Sequence, residues 1–152
     1  MARWKSTSRG AIQNVPSPSV TASLTSPERL IFSGEVEQVD VPGAEGDFGV
    51  LAEHAPIVAT LRPGVLTIYT GGGEQKIVVL GGFAEFSENS LTVLADSAAA
   101  IEDIDHTLIE ARISELEQRI TNTDPGVVLD KLIRELDHYK TVNQHLTGTA
   151  MH

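Results

Sequence analysis

The chain has 152 residues and a net charge of −10, a length that suits one ordinary domain or a small domain with an appendage. The acidic balance argues against nucleic acid as a partner, because phosphate binding needs a basic face. Without cysteine the chain has no disulfide, thiolate nucleophile or cysteine–zinc site, and its longest apolar runs are far too short to span a bilayer.

The first 20 residues differ in composition from the rest of the chain. Arg3, Lys5 and Arg9 stand among small polar residues, and the first acidic residue is Glu28. We interpret residues 1–20 as a disordered, basic N-terminal extension, with an organelle transit peptide as the alternative. A secretory signal would need an apolar core, which this stretch lacks.

Between residues 21 and 99, short stretches rich in Val, Ile, Leu and Thr alternate with turn residues, which is typical of β-strands. The loops TGGGEQ (70–75) and SENS (87–90) predict hairpins. Many short strands at close spacing predict an all-β sandwich or barrel. The predicted strands are SLTS (23–26), RLIFSG (29–34), VEQVDV (36–41), FGVL (48–51), IVATL (57–61), VLTIYT (65–70), QKIVVL (75–80), FAEFS (83–87) and LTVLA (91–95).

In residues 100–152 the apolar spacing becomes helical. The first predicted helix has an apolar stripe and ends near TNTDPG (121–126); Asp124 then suits the N-cap of a second helix, with Pro125 at its first position. A short connection between two such helices predicts an antiparallel two-helix hairpin. The fold class is therefore α+β, an N-terminal β-sandwich followed by this hairpin. The stripes consist of Ile104, Leu108, Ile109, Ile113, Leu116 and Ile120, and then Leu129, Leu132, Ile133, Leu136, Tyr139 and Leu146.

The glycine-rich stretch 41–64 is the first candidate for a chemical site. Gly43, Gly46 and Gly49 have the spacing G-x-x-G-x-x-G, but the dinucleotide fingerprint is G-x-G-x-x-G opening a helix, and the flanks here are strands. Glu45 and Asp47 share this loop, whose glycines indicate exposure, whereas catalytic carboxylates usually need burial, so they are better explained as solvated acids than as a catalytic pair. The glycines are therefore interpreted as turn formers.

Histidine and serine patterns give no further site. His54 is the only histidine of the β region, and the later histidines have no i, i+4 partner of the zinc-helix type. Ser26 and Ser33 lack a local base. We therefore predict no catalytic residue, no metal site and no cofactor.

The residues SPERLIFSGEVEQVDVPGAEGDFGVLAEHAPIVATLRPG, followed by VVLGGFAEFSENSLTVLADSA, closely resemble the epsilon subunit of F-type ATP synthases, the counterpart of the mitochondrial delta subunit. The resemblance runs from about Ser23 to the last helix, and the wording of GDFGVL and VVLGGFAE is similar to alphaproteobacterial members. It implies a non-catalytic subunit of the central stalk, peripheral to the cytoplasmic face of the bacterial inner membrane. The alternative location is the matrix face of the mitochondrial inner membrane.

The resemblance also implies partners and residue roles. The sandwich would contact the gamma subunit through Ser26, His54 and Ala59. The turn Glu45, Gly46, Asp47 and Phe48 would face the basic loops of the membrane c-ring. Ordinary solvated loop charge remains the alternative for Glu45 and Asp47.

Two departures from the family concern the helices. Some members bind ATP through the motif [IL]-D-x-x-R-A, where this chain has IDHTLI, so that Leu108 stands in place of the arginine. A leucine cannot pair with phosphate, so we expect no ATP binding. The family's hairpin can also reach the catalytic alpha/beta head and inhibit hydrolysis, helped by basic residues. Here residues 101–152 hold five lysines and arginines against ten acids, which predicts weaker inhibition.

A second class of function stays open at this level. A β-sandwich with a helical tail could also be a free-standing binder of a small molecule, which would need a concave pocket with convergent polar groups. Co-purification distinguishes the two, since a stalk subunit brings gamma with it.

Overall fold

Eight strands and two helices follow one another in residues 19–150, the part of the chain that a computed structural model describes. The strands are β1 (Val20–Thr25), β2 (Leu30–Val36), β3 (Gln38–Val41), β4 (Phe48–Leu51), β5 (Ile57–Thr70), β6 (Gly73–Ser87), β7 (Ser90–Ala95) and β8 (Ala98–Ala100). The helices are α1 (His106–Thr121) and α2 (Val127–Ala150). The predicted order of sandwich and two-helix hairpin is confirmed. The predicted disordered extension, apart from its last two residues, lies outside the described residues, and β1 already includes Val20.

The strands form one continuous sheet, in the order β2-β1-β7-β6-β5-β3-β4, with β8 paired to β6. β1 and β7 run parallel, and the other neighbours are antiparallel. We call β1, β2 and β7, with residues 57–61 of β5 and 82–87 of β6, layer one. The strands β3, β4 and β8, with the remaining parts of β5 and β6, form layer two. The two long strands thus join both layers of the sandwich.

The predicted separation of β5 and β6 into four strands was wrong. The two strands stay paired from Ile57↔Phe86 to Thr70↔Gly73. Their buried faces change over near Pro63 and the pair Gly81–Gly82, where the ribbon passes from one layer to the other. Gly82 has a φ of 122°, and a Cβ there would clash with the carbonyl oxygen of Leu94. Breaker residues therefore mark a corner of the sandwich and not the ends of strands.

The sandwich core lies between the layers and is aliphatic apart from Phe86. Layer one contributes Leu24, Phe86 and Leu91, and layer two contributes Leu66 and Ile77, each at most 2% exposed.

The hairpin between β6 and β7 closes through Glu88 and Asn89, with φ of 54° and 60° as a type I′ turn requires. Both predicted hairpin loops are confirmed.

The helices cover the outer face of layer two. Val65, Val78 and Leu80 of that face pack against a second apolar cluster, which is made by Ile101, Ile109, Leu116, Leu132, Tyr139, Val142 and Leu146. Helix α1 begins after Asp105, whose carboxylate accepts a hydrogen bond of 2.9 Å from the Thr107 backbone N–H. The hairpin is therefore held by burial on the sandwich and by contact between its own helices.

Three details of the predicted helices were wrong. Helix α2 begins at Val127, two residues after the predicted start, because Gly126 has a φ of 154° and only its carbonyl enters the helix, accepting from Asp130 at 3.0 Å. Leu108 and Ile133 lie off the buried stripe, 51% and 48% exposed. Val142, outside the predicted stripe, is fully buried in their stead. Helix α2 packs against both α1 and the sandwich. Which of its residues are buried therefore depends on two contacts, and a single apolar stripe does not predict them.

Candidate functional site

The acidic turn between β3 and β4 is fixed to the edge of β5. The backbone N–H of Ala44 donates to the carbonyl of Thr60 at 2.8 Å, and that of Arg62 donates to Pro42 at 3.0 Å. The Arg62 guanidinium also donates to the Gly43 carbonyl at 2.7 Å. Phe48 packs against the sandwich core at the end of the turn. The turn is therefore a rigid projection of the sandwich.

Its two carboxylates have different surroundings. Asp47 forms an ion pair of 2.5 Å with Arg62, whose side chain is only 24% exposed. Glu45 is exposed, and the ion pairs found within residues 19–150 do not include it. Asp47 thus helps to hold the turn, whereas Glu45 carries an exposed carboxylate that takes part in none of these ion pairs. The sequence did not single out Arg62, whose role depends on residues 15 to 19 positions away.

The three residues expected to face gamma do not cluster. Ser26 follows β1 at one end of layer one, where its backbone pairs with Arg29. His54 lies at the opposite end, where its ring meets the edge of Phe86 with centroids 5.8 Å apart. Its neighbour Glu53 is bonded through its N–H to Asn89, at the start of β7. Ala59 lies between them, in register with the buried Ala84, so its methyl belongs to the inner face.

Layer one has an exposed apolar row on its outer face, which the sequence analysis missed. Thr60, Phe83, Leu94, Thr25 and Leu30 are successive register partners across β5, β6, β7, β1 and β2. Phe83, Leu94 and Leu30 are all more than 40% exposed, and Val58 beside them is exposed further. We call this surface the open face. The available signal was strand alternation, since Phe83 and Leu94 fall on the polar side of strands whose other apolar residues are buried.

Arg112, one turn after the stretch that matches the family's nucleotide motif, already forms ion pairs within the hairpin. The Arg112 guanidinium donates to Glu135 at 2.8 Å and to Glu115 at 2.6 Å, and lies 5.8 Å from the ring centroid of Tyr139. The hydrogen bond to Glu135, and then that to Glu115, raise the pKa of Arg112. Burial raises the pKa of the Tyr139 hydroxyl. Arg112 therefore stabilises the hairpin internally.

The described residues offer no group of three or more His, Asp or Glu that could hold a metal ion. Helices long and apolar enough to cross a bilayer are likewise absent from the described range. What the structure presents is two surfaces, the rigid acidic turn and the open face.

Known proteins resemble this chain over most of its length. Residues 19–101 match the family described as ATP synthase, Delta/Epsilon chain, β-sandwich domain. The ATP synthase epsilon chain of Afipia carboxidovorans is 57% identical over 129 residues, which cover 85% of this chain and 95% of the relative. The epsilon chain of Rhodopseudomonas palustris strain BisA53 is 58% identical with the same coverage. The chain belongs to the ATP synthase epsilon chain family.

A solved structure shows the same fold. A chain in the mitochondrial ATP synthase of Euglena gracilis, determined as OSCP/F1/c-ring in rotational state 1, superposes with a TM-score of 0.69 at 26% identity. The superposition covers 88% of this chain and 84% of that one. The expectation of an epsilon chain of alphaproteobacterial type is confirmed by relatives from Afipia, Rhodopseudomonas and Bradyrhizobium. The chain is thus a non-catalytic central-stalk subunit of an F-type ATP synthase, and this decides against the free-standing small-molecule binder.

Proposed function

We propose that this epsilon chain binds the gamma subunit through the open face and contacts the c-ring through Glu45 in the acidic turn. The observation that carries the proposal is the difference between the two faces of the sandwich. The chain's own helices cover the outer face of layer two, whereas the outer face of layer one keeps its apolar row exposed. A contiguous exposed apolar surface on a stable domain is typical of a protein interface.

The expected gamma residues take different roles in this proposal. Ser26 borders the apolar row, since β1 ends at Thr25 beside Leu94, and we assign it a direct contact. Ala59 fills the inner side of β5 and so positions Val58 and Thr60, which point outward on either side of it. His54 supports the loop before β5 through its contact with Phe86. Gamma then makes most of its contact with strand residues, which suits a rigid, permanent junction.

A charge placed in the open face tests the gamma contact. Phe83→Asp buries a carboxylate in the proposed interface, and we expect this variant to lose co-elution with gamma in gel filtration. Leu51→Asp is the matched control, because Leu51 is 49% exposed against 46% for Phe83 but lies on β4 of layer two. Retention of gamma by Phe83→Asp, or equal loss in both variants, would contradict the assignment.

The acidic turn fits basic loops by its charge and its rigidity. Only Glu45 offers a free carboxylate, so it sets the register of the contact, whereas Asp47 acts through Arg62. We propose that Phe48 and Gly46 shape the turn without reading the partner. The turn therefore transmits a sideways push from the c-ring to the sandwich without bending.

Reversing the Glu45 charge tests the c-ring contact. We expect Glu45→Lys to lower ATP synthesis driven by a proton gradient in membrane vesicles by about twofold to fivefold, as for a partly exposed ion pair. The control Glu110→Lys makes the same charge change on exposed α1 and should leave synthesis unchanged. If both variants behave like the parent, Glu45 is ordinary solvated charge.

For the hairpin we propose no regulation by nucleotide and little engagement of the catalytic alpha/beta head. Leu108 replaces the motif arginine, and Arg112 one turn later is committed to Glu115 and Glu135. We expect no saturable heat when magnesium–ATP at millimolar concentration is added to the chain in a calorimeter. Saturable binding would overturn this proposal, and its loss in Arg112→Gln would assign the site to Arg112.

The proposed partners place the chain at the periphery of a membrane. Held by gamma and the c-ring, it would lie on the cytoplasmic face of the bacterial inner membrane; the matrix face of the mitochondrial inner membrane is the alternative. Membranes washed at high salt should keep the parent chain and release Phe83→Asp.

A further inference from the structure

Helix α2 contacts the sandwich through a histidine that faces a fixed cation. A cleft of about 400 Å³ separates α2 from layer two and the turn, and His138 and Arg62 both line it. His138 is half-buried there, and it also lines, with Arg62, an adjacent cleft that the acidic turn forms. The contact between hairpin and sandwich therefore includes a half-buried histidine, a side chain whose charge depends on pH.

Arg62 cannot move away from this histidine without breaking two other bonds. Its guanidinium is held by the carboxylate of Asp47 at 2.5 Å and by the carbonyl of Gly43 at 2.7 Å. A proton on His138 would therefore bring two positive charges together in a partly desolvated cleft.

We propose that the contact between α2 and the sandwich is a proton-sensitive latch, which holds the hairpin while His138 is neutral and loosens when His138 is protonated. The latch is independent of the proposed contacts with gamma and the c-ring, because it is a contact within this chain alone. It also ties the hairpin to the acidic turn, because Arg62 holds the turn and faces His138.

Other charged groups line these two clefts or act on His138 from nearby, and most of the acids are engaged elsewhere. Asp47 is paired with Arg62, Asp40 accepts from Gln38 at 2.7 Å and Tyr69 at 2.9 Å, and Glu135 binds Arg112. The remaining charged or titratable groups are Glu45 of the turn, Lys76 of β6, and Arg134, Asp137 and His145 of α2. Glu45 and Asp137 are exposed, where water and salt weaken their attraction for a proton on His138.

The direction of the effect follows from the two states of the hairpin. Burial first, and then the charge of Arg62, lower the pKa of His138 below its usual value, while Asp137 acts in the opposite sense. An undocked His138 regains the usual pKa of about 6.5, so the undocked state binds the proton more tightly. Docking is therefore strongest above that pH and weakens as the pH falls below it, by at most about tenfold in the equilibrium constant per pH unit for one proton.

Distance measurement between two spin labels tests the latch directly. The chain has no cysteine, so cysteines introduced at the exposed positions Ser33 and Gln144 carry the only labels. Between pH 7.5 and pH 5.5 we expect a second, longer distance to appear in the full chain. His138→Gln should keep the pH 7.5 distribution at both values, and His138→Lys should show the longer distance at both. His106→Gln, at an exposed histidine of α1 that does not line the cleft, is the control and should respond as the parent does.

Two results would overturn the latch: an unchanged distance in the parent at pH 5.5, or a full pH response in His138→Gln. Titration of the His138 ring by NMR in the unsubstituted chain gives an independent reading that needs no variant. A pKa at or above that of a free histidine would contradict the proposal. These readings use the chain alone, so a failure of the gamma or c-ring proposals leaves them interpretable.

Discussion

The outer faces of layer one and layer two belong to the same sheet but differ in exposure, since the helices cover only the outer face of layer two. On β6, Val78 and Leu80 point outward and are covered by the helices, whereas Phe83 points outward into solvent. The changeover occurs at Gly81–Gly82, where the ribbon turns from one layer to the other. The chain thus covers one face of its sandwich with its own helices and leaves the other exposed, where we propose that gamma binds.

The largest loss of stability is expected from a substitution in the core that both layers share. Phe86 has the largest fully buried side chain among the described residues and lies in the shared core. We expect Phe86→Ala to lower the free energy of unfolding by about 3–5 kcal/mol, measured by urea denaturation. Tryptophan is found only at position 4, so circular dichroism is the better probe of the sandwich. A loss below about 1 kcal/mol would show that the layers do not depend on a common core.

A smaller and more local loss of stability is expected in the helices that pack on layer two. Leu116 of α1 is fully buried in the cluster between the hairpin and the sandwich. Leu116→Ala should lower hairpin stability by about 2–4 kcal/mol, so that amide exchange of α1 and α2 speeds up while the strands of layer one stay protected. Equal acceleration in β1 and β7 would mean that the two faces are not independent.

The smallest loss of stability is expected at the N-terminus of α1. Asp105 caps α1 through a single hydrogen bond to Thr107, and its replacement by alanine should cost about 1 kcal/mol. The melting temperature of the hairpin falls accordingly, with gamma binding unaffected. Asp103→Ala, on an exposed residue just before the cap, serves as the control and should leave the melting temperature unchanged.

The sequence predicted the architecture because its two periodicities are local. Alternating apolar residues and turn signals predicted most of the strands and both hairpin loops but missed the short β8. The spacing of Ile109 and Leu116 predicted α1. Glycine and proline within β5 and β6 misled the prediction, because such residues suit both a strand end and a sandwich corner. Which of the two occurs is decided by pairing with residues far along the chain.

The surfaces were predictable only in part. Glu45 and Asp47 stood out as loop acids, but their different roles depend on Arg62, which reaches them only after β5 pairs with the turn. The open face depends on which outward residues α1 and α2 leave uncovered, a property of packing and not of any one strand. Sequence reasoning therefore found the turn and missed the face beside it.

Chemical footprinting of the two faces tests the central claim most directly. A cysteine at Thr92, exposed on β7 of layer one, and one at Gln144, exposed on α2, can each be labelled in a chain that has no other thiol. Our account predicts that adding gamma slows the maleimide labelling of Thr92→Cys and leaves that of Gln144→Cys unchanged. Slowed labelling at Gln144→Cys with Thr92→Cys unchanged would contradict it, because gamma would then be bound on the face that the helices cover.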